Sequence, residues 1–345
     1  MASQAGQPHF VGTRQNENGK GRTTMTHRRD LLAAAAAAAF PGLAAAQAFP
    51  SRPLRIVVPF GAGGIADLTA RAVAKALGEG LRQGVVVENK PGAGGIVAGE
   101  TVARAEPDGH TLLLMSNGTA VSAGLFRSLP FDPRKDFAPI VTLGFFDIAV
   151  LAAAGGRFPS MKDLLAYARA NPGRLNVASI NIGSTQHLAA ELLKTSAGVD
   201  FQVVPFNGSP AVLTALRGGQ VDAAVEILGP MMGQIASRTV VPLAVMGSQR
   251  AAGLADVPTV AESGVRGFDA ASWNALAAPA RTPPQVIARL NREANQALAG
   301  PGLRRQLAEL NVRPAGGTPE QLGDLLASEI RRWSEVIVRA KVPRQ

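Results

Sequence analysis

Two glycine clusters carry most of the chemistry this sequence offers. Gly61, Gly63 and Gly64 lie within LRIVVPFGAGGIADLTAR (54–71), and Gly92, Gly94 and Gly95 lie within VVVENKPGAGGIVAGE (85–100). Each run passes from an apolar strand-like stretch through glycines into a helix-like stretch. That arrangement aims the unpaired N–H groups and positive dipole end of a helix start beyond the strand tip, where an anion is the natural occupant. The first cluster also fits the dinucleotide fingerprint G-x-G-x-x-[GA], with Glu88 ending the next strand where a ribose-binding acid would stand. Two residues count against a dinucleotide: Pro59 interrupts the strand tip, and Asp67 puts a negative charge beside the supposed pyrophosphate.

Other reactive groups are scarce. There is no G-x-x-x-x-G-K-[ST] loop, no G-x-S-x-G elbow and no His/Asp/Glu set at metal-ligand spacing, so neither metal nor cofactor is expected. The chain has no cysteine, which removes disulfides, thiolate metal sites and a cysteine nucleophile. Beyond residue 48 the histidines are His110 and His187, little equipment for general acid–base catalysis. His110 follows the turn signal Pro107-Asp108-Gly109 and is expected to cap a surface turn. His187 opens a helix, where it either touches a ligand or is a hydrogen-bonded structural histidine.

The chain opens with an export signal. Arg28-Arg29, Leu31-Leu32, the alanine run 33–39 and Ala44-Ala45-Ala46-Gln47-Ala48 supply a basic pair, an apolar stretch and small residues around a cleavage site. The apolar part is too short and too alanine-rich for a good membrane span. Adjacent arginines before two leucines suggest the twin-arginine route. Cleavage is expected after Ala48, with Ala46 as the alternative, in a periplasmic protein. Met25 is a second candidate start. Of 35 Lys/Arg and 25 Asp/Glu, five and two precede Phe49, which leaves +7 for the exported part. The charges are scattered and aromatics make up 5%, so no stacking platform for nucleic acid exists. The mild basic excess favours acidic ligands.

These groups need a scaffold, and the pattern supplies an α/β one. Strand-like segments at 54–58, 85–88, 111–115, 138–143, 148–152, 175–178, 201–204, 223–227 and 243–246 alternate with helical patterns at 68–81, 161–170, 187–197 and 210–217. This rhythm predicts parallel sheets, and the length suits two lobes. No fixed-period repeat is visible. Ser160 with Asp163, Thr282-Pro283-Pro284-Gln285 and Thr318-Pro319-Glu320-Gln321 predict helix caps. Leu322, Leu325, Leu326, Ile330, Trp333, Val336 and Ile337 recur at helical spacing, so Trp333 is expected in the core, as is Tyr167. The apolar stretches 140–152 and 270–278 lack a following helix start and are candidates for strands crossing between lobes.

The ordered set IVVPFGAGGIADLTAR, VVENKPGAGGIVAGE, EPDGHTLL, LPFDPRKDFAPI, NPGRLNVAS, STQHLAAELLKTSAGVDFQVVPF, GGQVDAAVE, LADVPTVAESGVRGFDAASW and PPQVIARLN resembles the solute receptors of tripartite tricarboxylate transporters, the Bordetella uptake gene family. The resemblance covers essentially all of the chain after residue 48. It implies a periplasmic-binding-protein-like (type II) α/β fold: 49–146 with 274–345 as one lobe, 147–273 as the other, and a ligand cleft between them. It also implies no catalysis, a small organic carboxylate as ligand, membrane permease subunits as partners, and a monomer. Carried onto this chain, the ligand contacts are Phe60, Ala62, Gly63, Gly64 and Asp67 with Asn117 and Thr119, then Ser179, Asn181, Gly183, Ser184, Thr185 and His187 with Asn207 and Glu226. The sequence departs from the family pattern at Ile180-Asn181-Ile182, at Phe206-Asn207-Gly208, where P-Y-K-G is usual, and at Glu226, where aspartate is usual. Trp273 could stack on a ligand, but its place beside the second crossing segment favours a hinge or core role. The remaining readings are an exported nicotinamide-dependent oxidoreductase and a ligand sensor without its own permease.

Overall fold

β-Branched and leucine-rich runs form the strands of this chain, and a turn releases nearly every early strand into a helix. The computed structural model describes residues 49–345; the expected extension and export signal at 1–48 lie outside the described residues. The first half-unit is β1 (Leu54–Val58), α1 (Ile65–Leu81), β2 (Val85–Asn89), α2 (Ile96–Ala103), β3 (Thr111–Ser116) and α3 (Asn117–Leu125). β1 lies between β2 and β3 and pairs with both in parallel. Side chains alternate across a strand, so Ile56 and Val58 enter one core with Ala70, Val73 and Leu77 of α1. Val57 enters the opposite core with Ala98 and Val102 of α2 and Ala120 and Val121 of α3. The chain therefore leaves the neighbouring strands β1 and β3 towards opposite faces, opening a crevice at their carboxyl ends.

A second half-unit repeats this plan. It consists of β5 (Asn176–Ile180), α5 (Thr185–Ala197), β6 (Gln202–Phe206), α6 (Ser209–Arg217), β7 (Ala223–Ile227) and α7 (Leu228–Ala236), preceded by α4 (Met161–Ala170) and followed by β8 (Val240–Val245). β5 pairs in parallel with β6 and β7. Ala189, Ala190 and Leu193 of α5 pack on one face with Val177 and Val225. Val212 and Ala215 of α6 and Leu228 and Met231 of α7 pack on the other with Ala178 and Ala224. The exits of β5 and β7 thus diverge as those of β1 and β3 do.

β4 (Phe137–Ala153) joins the halves. Up to Asp147 it pairs antiparallel with β9 (Ala271–Pro279), and with β10 (Val312–Gly316) between Thr142 and Phe146. From Ile148 it pairs with β7 and β8 instead. The segments expected as separate strands at 138–143 and 148–152 are thus one strand. The sheets are also mixed, not parallel throughout: β3, β4, β9 and β10 meet antiparallel because the chain crosses back through β9. α8 (Pro284–Ala299) and α9 (Pro301–Glu309) cover the core behind β1, and α10 (Pro319–Arg339) covers the opposite face. Thr318 and Gln321 form the expected reciprocal cap of α10, and Ser160 caps α4. Thr282 does not cap α8: Pro283 holds that position, and the Thr282 hydroxyl donates to the Pro279 carbonyl. No helix among the described residues is long and apolar enough to cross a membrane.

Candidate functional site

The crevice of the first half is built around Asp67. One of its carboxylate oxygens, Oδ2, accepts hydrogen bonds from the Gly63 N–H (2.8 Å) and Arg71 Nε (3.0 Å), and the other accepts from Asn89 Nδ2 (2.9 Å). Asn89 also donates to the Phe60 carbonyl, so one buried acid ties the strand-to-helix loop to β2. Burial alone would raise Asp67, but the bonds from Arg71, Gly63 and Asn89 outweigh it and hold the carboxyl below its usual range. Phe60, Gly61, Ala62, Gly63 and Gly64 are exposed. No side chain caps α1, whose N-cap is Gly64, so its first N–H groups face the crevice without a protein acceptor. Gly63 holds the left-handed conformation (φ 83°), whereas Gly64 is extended (φ −79°). Opposite this loop, the Ser116 hydroxyl accepts from Gly118 N–H, and Thr119 completes a reciprocal cap at the head of α3. Thr119 and Phe60 border a small cavity of about 10 Å³, with Ser116 and Ser122 also in its wall, room for roughly one water.

In the second half, Ser184 caps α5 by accepting from the His187 N–H, and its own N–H donates to the Asn181 carbonyl. Asn181 is exposed, its N–H bound to the Phe206 carbonyl, and Asn207 is exposed beside it. Ser179 is buried and donates to the Ile180 carbonyl. His187 is buried with Nδ1 unpartnered, and desolvation pushes its pKa down to about 4, so it is neutral at physiological pH. Glu226 lies at the end of β7. Its Oε2 accepts from Ser209 (3.0 Å) and Gln186 (3.4 Å), its Oε1 has no partner, and burial pushes its pKa up to about 7.

The halves meet through a buried hydrogen-bond chain. Trp333 Nε1 donates to both Glu329 Oε2 and Asn117 Oδ1 (2.7 Å each), and Asn117 Nδ2 donates to Thr185 Oγ1 at the head of α5 (3.1 Å). Asn117 and Thr185, both expected as ligand contacts, therefore also bond each other. Gly183 (φ 81°) lies so close to Leu125 that a Cβ there would overlap it. Sequence reasoning missed Gln186 and Ser209, whose shared partner Glu226 lies 40 and 17 positions away, and Glu329, whose partner Trp333 is one helical turn along α10. It also passed over Asn274, which is buried beside Ser116 in the β3–β9 register with neither amide atom partnered; an asparagine within an apolar strand was the available signal. Trp273 is buried in the core rather than in a crevice. His110 is not at the surface as expected: it is buried, packs against Phe49 and accepts from the Ser51 N–H.

For a dinucleotide the fit is poor. Glu88 is paired with Arg55 (2.9 Å) and Lys90 (3.2 Å), and the Gly63 N–H that would meet a pyrophosphate is held by Asp67. Among the described residues no group of His, Asp or Glu could hold a metal ion. Two divergent-exit crevices on sheets joined by crossing strands define a periplasmic solute-binding-protein fold. The model of the tripartite tricarboxylate transporter family receptor matches residues 69–342, and the chain belongs to that family of solute-binding receptors. It is 34% identical to protein BugT of Bordetella pertussis, over 85% of this chain and 90% of that one. A Rhodopseudomonas palustris protein solved with adipate superposes with a TM-score of 0.78 at 33% identity, covering 85% of this chain and 98% of that one. MatC of the same organism, solved with malate bound, gives 0.74 at 34% identity, covering 84% and 100%.

Proposed function

We propose that this chain is an exported, monomeric receptor that captures a small organic carboxylate between its two crevices and presents the closed form to the membrane subunits of a tripartite tricarboxylate transporter. Residues 49–146 with 274–345 form one lobe and 147–273 the other. Phe60, Ala62, Gly63, Gly64 and Asp67 with Asn117 and Thr119 contribute from the first lobe; Ser179, Asn181, Gly183, Ser184, Thr185 and His187 with Asn207 and Glu226 contribute from the second. The observation that carries the reading is the pair of divergent strand exits, each with helix heads turned towards the crevice and the head of α1 left uncapped. Adipate and malate in the related structures give the ligand class. An arginine is not required for affinity. Charge-assisted hydrogen bonds contribute roughly 1.5–3 kcal/mol each, and a few approach the ~8 kcal/mol of a micromolar complex before ordering costs are subtracted.

A thermal-shift screen of mono-, di- and tricarboxylates against the exported form tests this. At least one should stabilise it, since a ligand that binds the folded state alone stabilises by mass action. A screen without any stabilising carboxylate, or hydride transfer with NAD or NADP, would overturn the proposal.

A further inference from the structure

Glu226 is an acid placed where a crevice needs a donor. It closes β7 at the divergent exit between β5 and β7 and is 1% exposed. The Gln186 Nε2 group donates to Oε2, and the Ser209 hydroxyl supplies that oxygen with a second hydrogen bond. The other oxygen, Oε1, is buried with no partner among the described residues. A proton on this carboxyl therefore belongs on Oε1.

The surroundings offer an ionised Glu226 no counter-charge. On its face of the sheet β4 presents Ala149 and Leu151, β5 Ala178, α6 Val212 and α7 Leu228. Asp147, two residues from Ala149 along β4, is itself an acid and lies 3.8 Å from Arg313 of β10. The ionisable neighbour of Gln186 on α5 is His187, which burial keeps neutral. An ionised Glu226 would thus repel an incoming carboxylate with little water between them. A neutral carboxylic acid has the opposite effect, because O–H···O⁻ hydrogen bonds are short and strong.

We propose that Glu226 joins the ligand site as the neutral acid and donates Oε1–H to a ligand oxygen, so that capture is coupled to protonation at this residue. The proposal rests on the carboxylate reading above. The elevated pKa of about 7, caused first by burial and opposed by Ser209, Gln186 and the Ile227 N–H, agrees with it.

Two measurements test it. The first needs no ligand: infrared difference spectra of the exported protein against Glu226→Gln, from pH 5 to 8. They should show one carboxylic acid in the wild type that loses its proton near neutrality. A carboxylate already ionised at pH 5 would overturn the proposal. The second is calorimetry with adipate and malate at pH 6 and pH 8. If only the protonated receptor binds, affinity falls with its population, about tenfold over that span, and binding takes up a proton at pH 8. Glu226→Gln, which keeps a donor and cannot ionise, should bind without this pH dependence, and Glu226→Leu should not bind. Equal wild-type affinity at both pH values overturns the coupling. If neither acid binds at any pH, the same titration is run with the carboxylate that stabilises best in the thermal-shift screen; a screen without any such carboxylate ends the carboxylate reading, while the infrared result still decides whether Glu226 holds its proton.

Discussion

Asp67 offers the most direct separation of architecture from ligand contact. It is buried, yet it faces the crevice as an anchor: its two oxygens hold the Gly63 N–H, Arg71 and Asn89. Replacing it by asparagine preserves an acceptor for Gly63 and removes the charge, an expected cost of about 1–2 kcal/mol. Leucine removes every acceptor and strands the Gly63 N–H and the Asn89 amide. Charge-assisted bonds are worth about 1.5–3 kcal/mol each, and the half-exposed Arg71 pair adds under about 1 kcal/mol, so roughly 3–7 kcal/mol is expected in total. Urea denaturation at pH 7 should rank wild type, Asp67→Asn and Asp67→Leu in that order, with the leucine variant losing carboxylate binding as its loop loosens. The pH dependence has a definite sign. The Asp67 carboxyl is held below its usual range, so its contribution is present above the ordinary aspartate pKa and is lost as pH falls through the lowered value. The gap between wild type and Asp67→Asn should therefore narrow in acid. Leucine and asparagine variants within about 0.5 kcal/mol of each other would refute the anchoring argument.

Further predictions follow from the same geometry. Glu226→Gln should flatten the stability profile: a raised pKa gives a contribution that is lost as pH climbs towards and past about 7, up to roughly 3 kcal/mol by pH 8, read from melts between pH 5 and 8. Gly64→Ala should fold normally, because its backbone is extended and a Cβ there would make only an ordinary 3.8 Å contact with the Gly61 carbonyl; Gly183→Ala should be destabilised, because its φ of 81° and Leu125 both oppose a Cβ. Trp333→Phe should cost roughly 1–3 kcal/mol by leaving Glu329 Oε2 and Asn117 Oδ1 unpaired, measurable by denaturation, with the fluorescence of Trp273 as probe. Saturating ligand should lower the radius of gyration in solution scattering if the crossings near 146–148 and 272–274 act as hinges; no change, together with an open state by distance labels, would refute closure.

Much of this protein is readable along the chain. The strands at 54–58 and 223–227 coincide with β1 and β7, because a short apolar run bounded by turn residues has little other use. The ordered motifs point to the receptor family, and the helix caps at Ser160 and Thr318 follow from local bonds three residues apart. The repeat of one half-unit in the other was invisible, because topology can recur without a recurring period or similar residues. β10 and the mixed sheets were missed for a related reason: Val312–Gly316 contains proline and arginine, and its pairing partner lies more than 160 positions away. The chain Glu329–Trp333–Asn117–Thr185 and the burial of Glu226 depend on contacts across the fold. Sequence sets which groups are present and what local geometry their neighbours allow. Only the packed structure decides which of them lose their water, and with it whether an acid such as Glu226 is a charge or a proton donor.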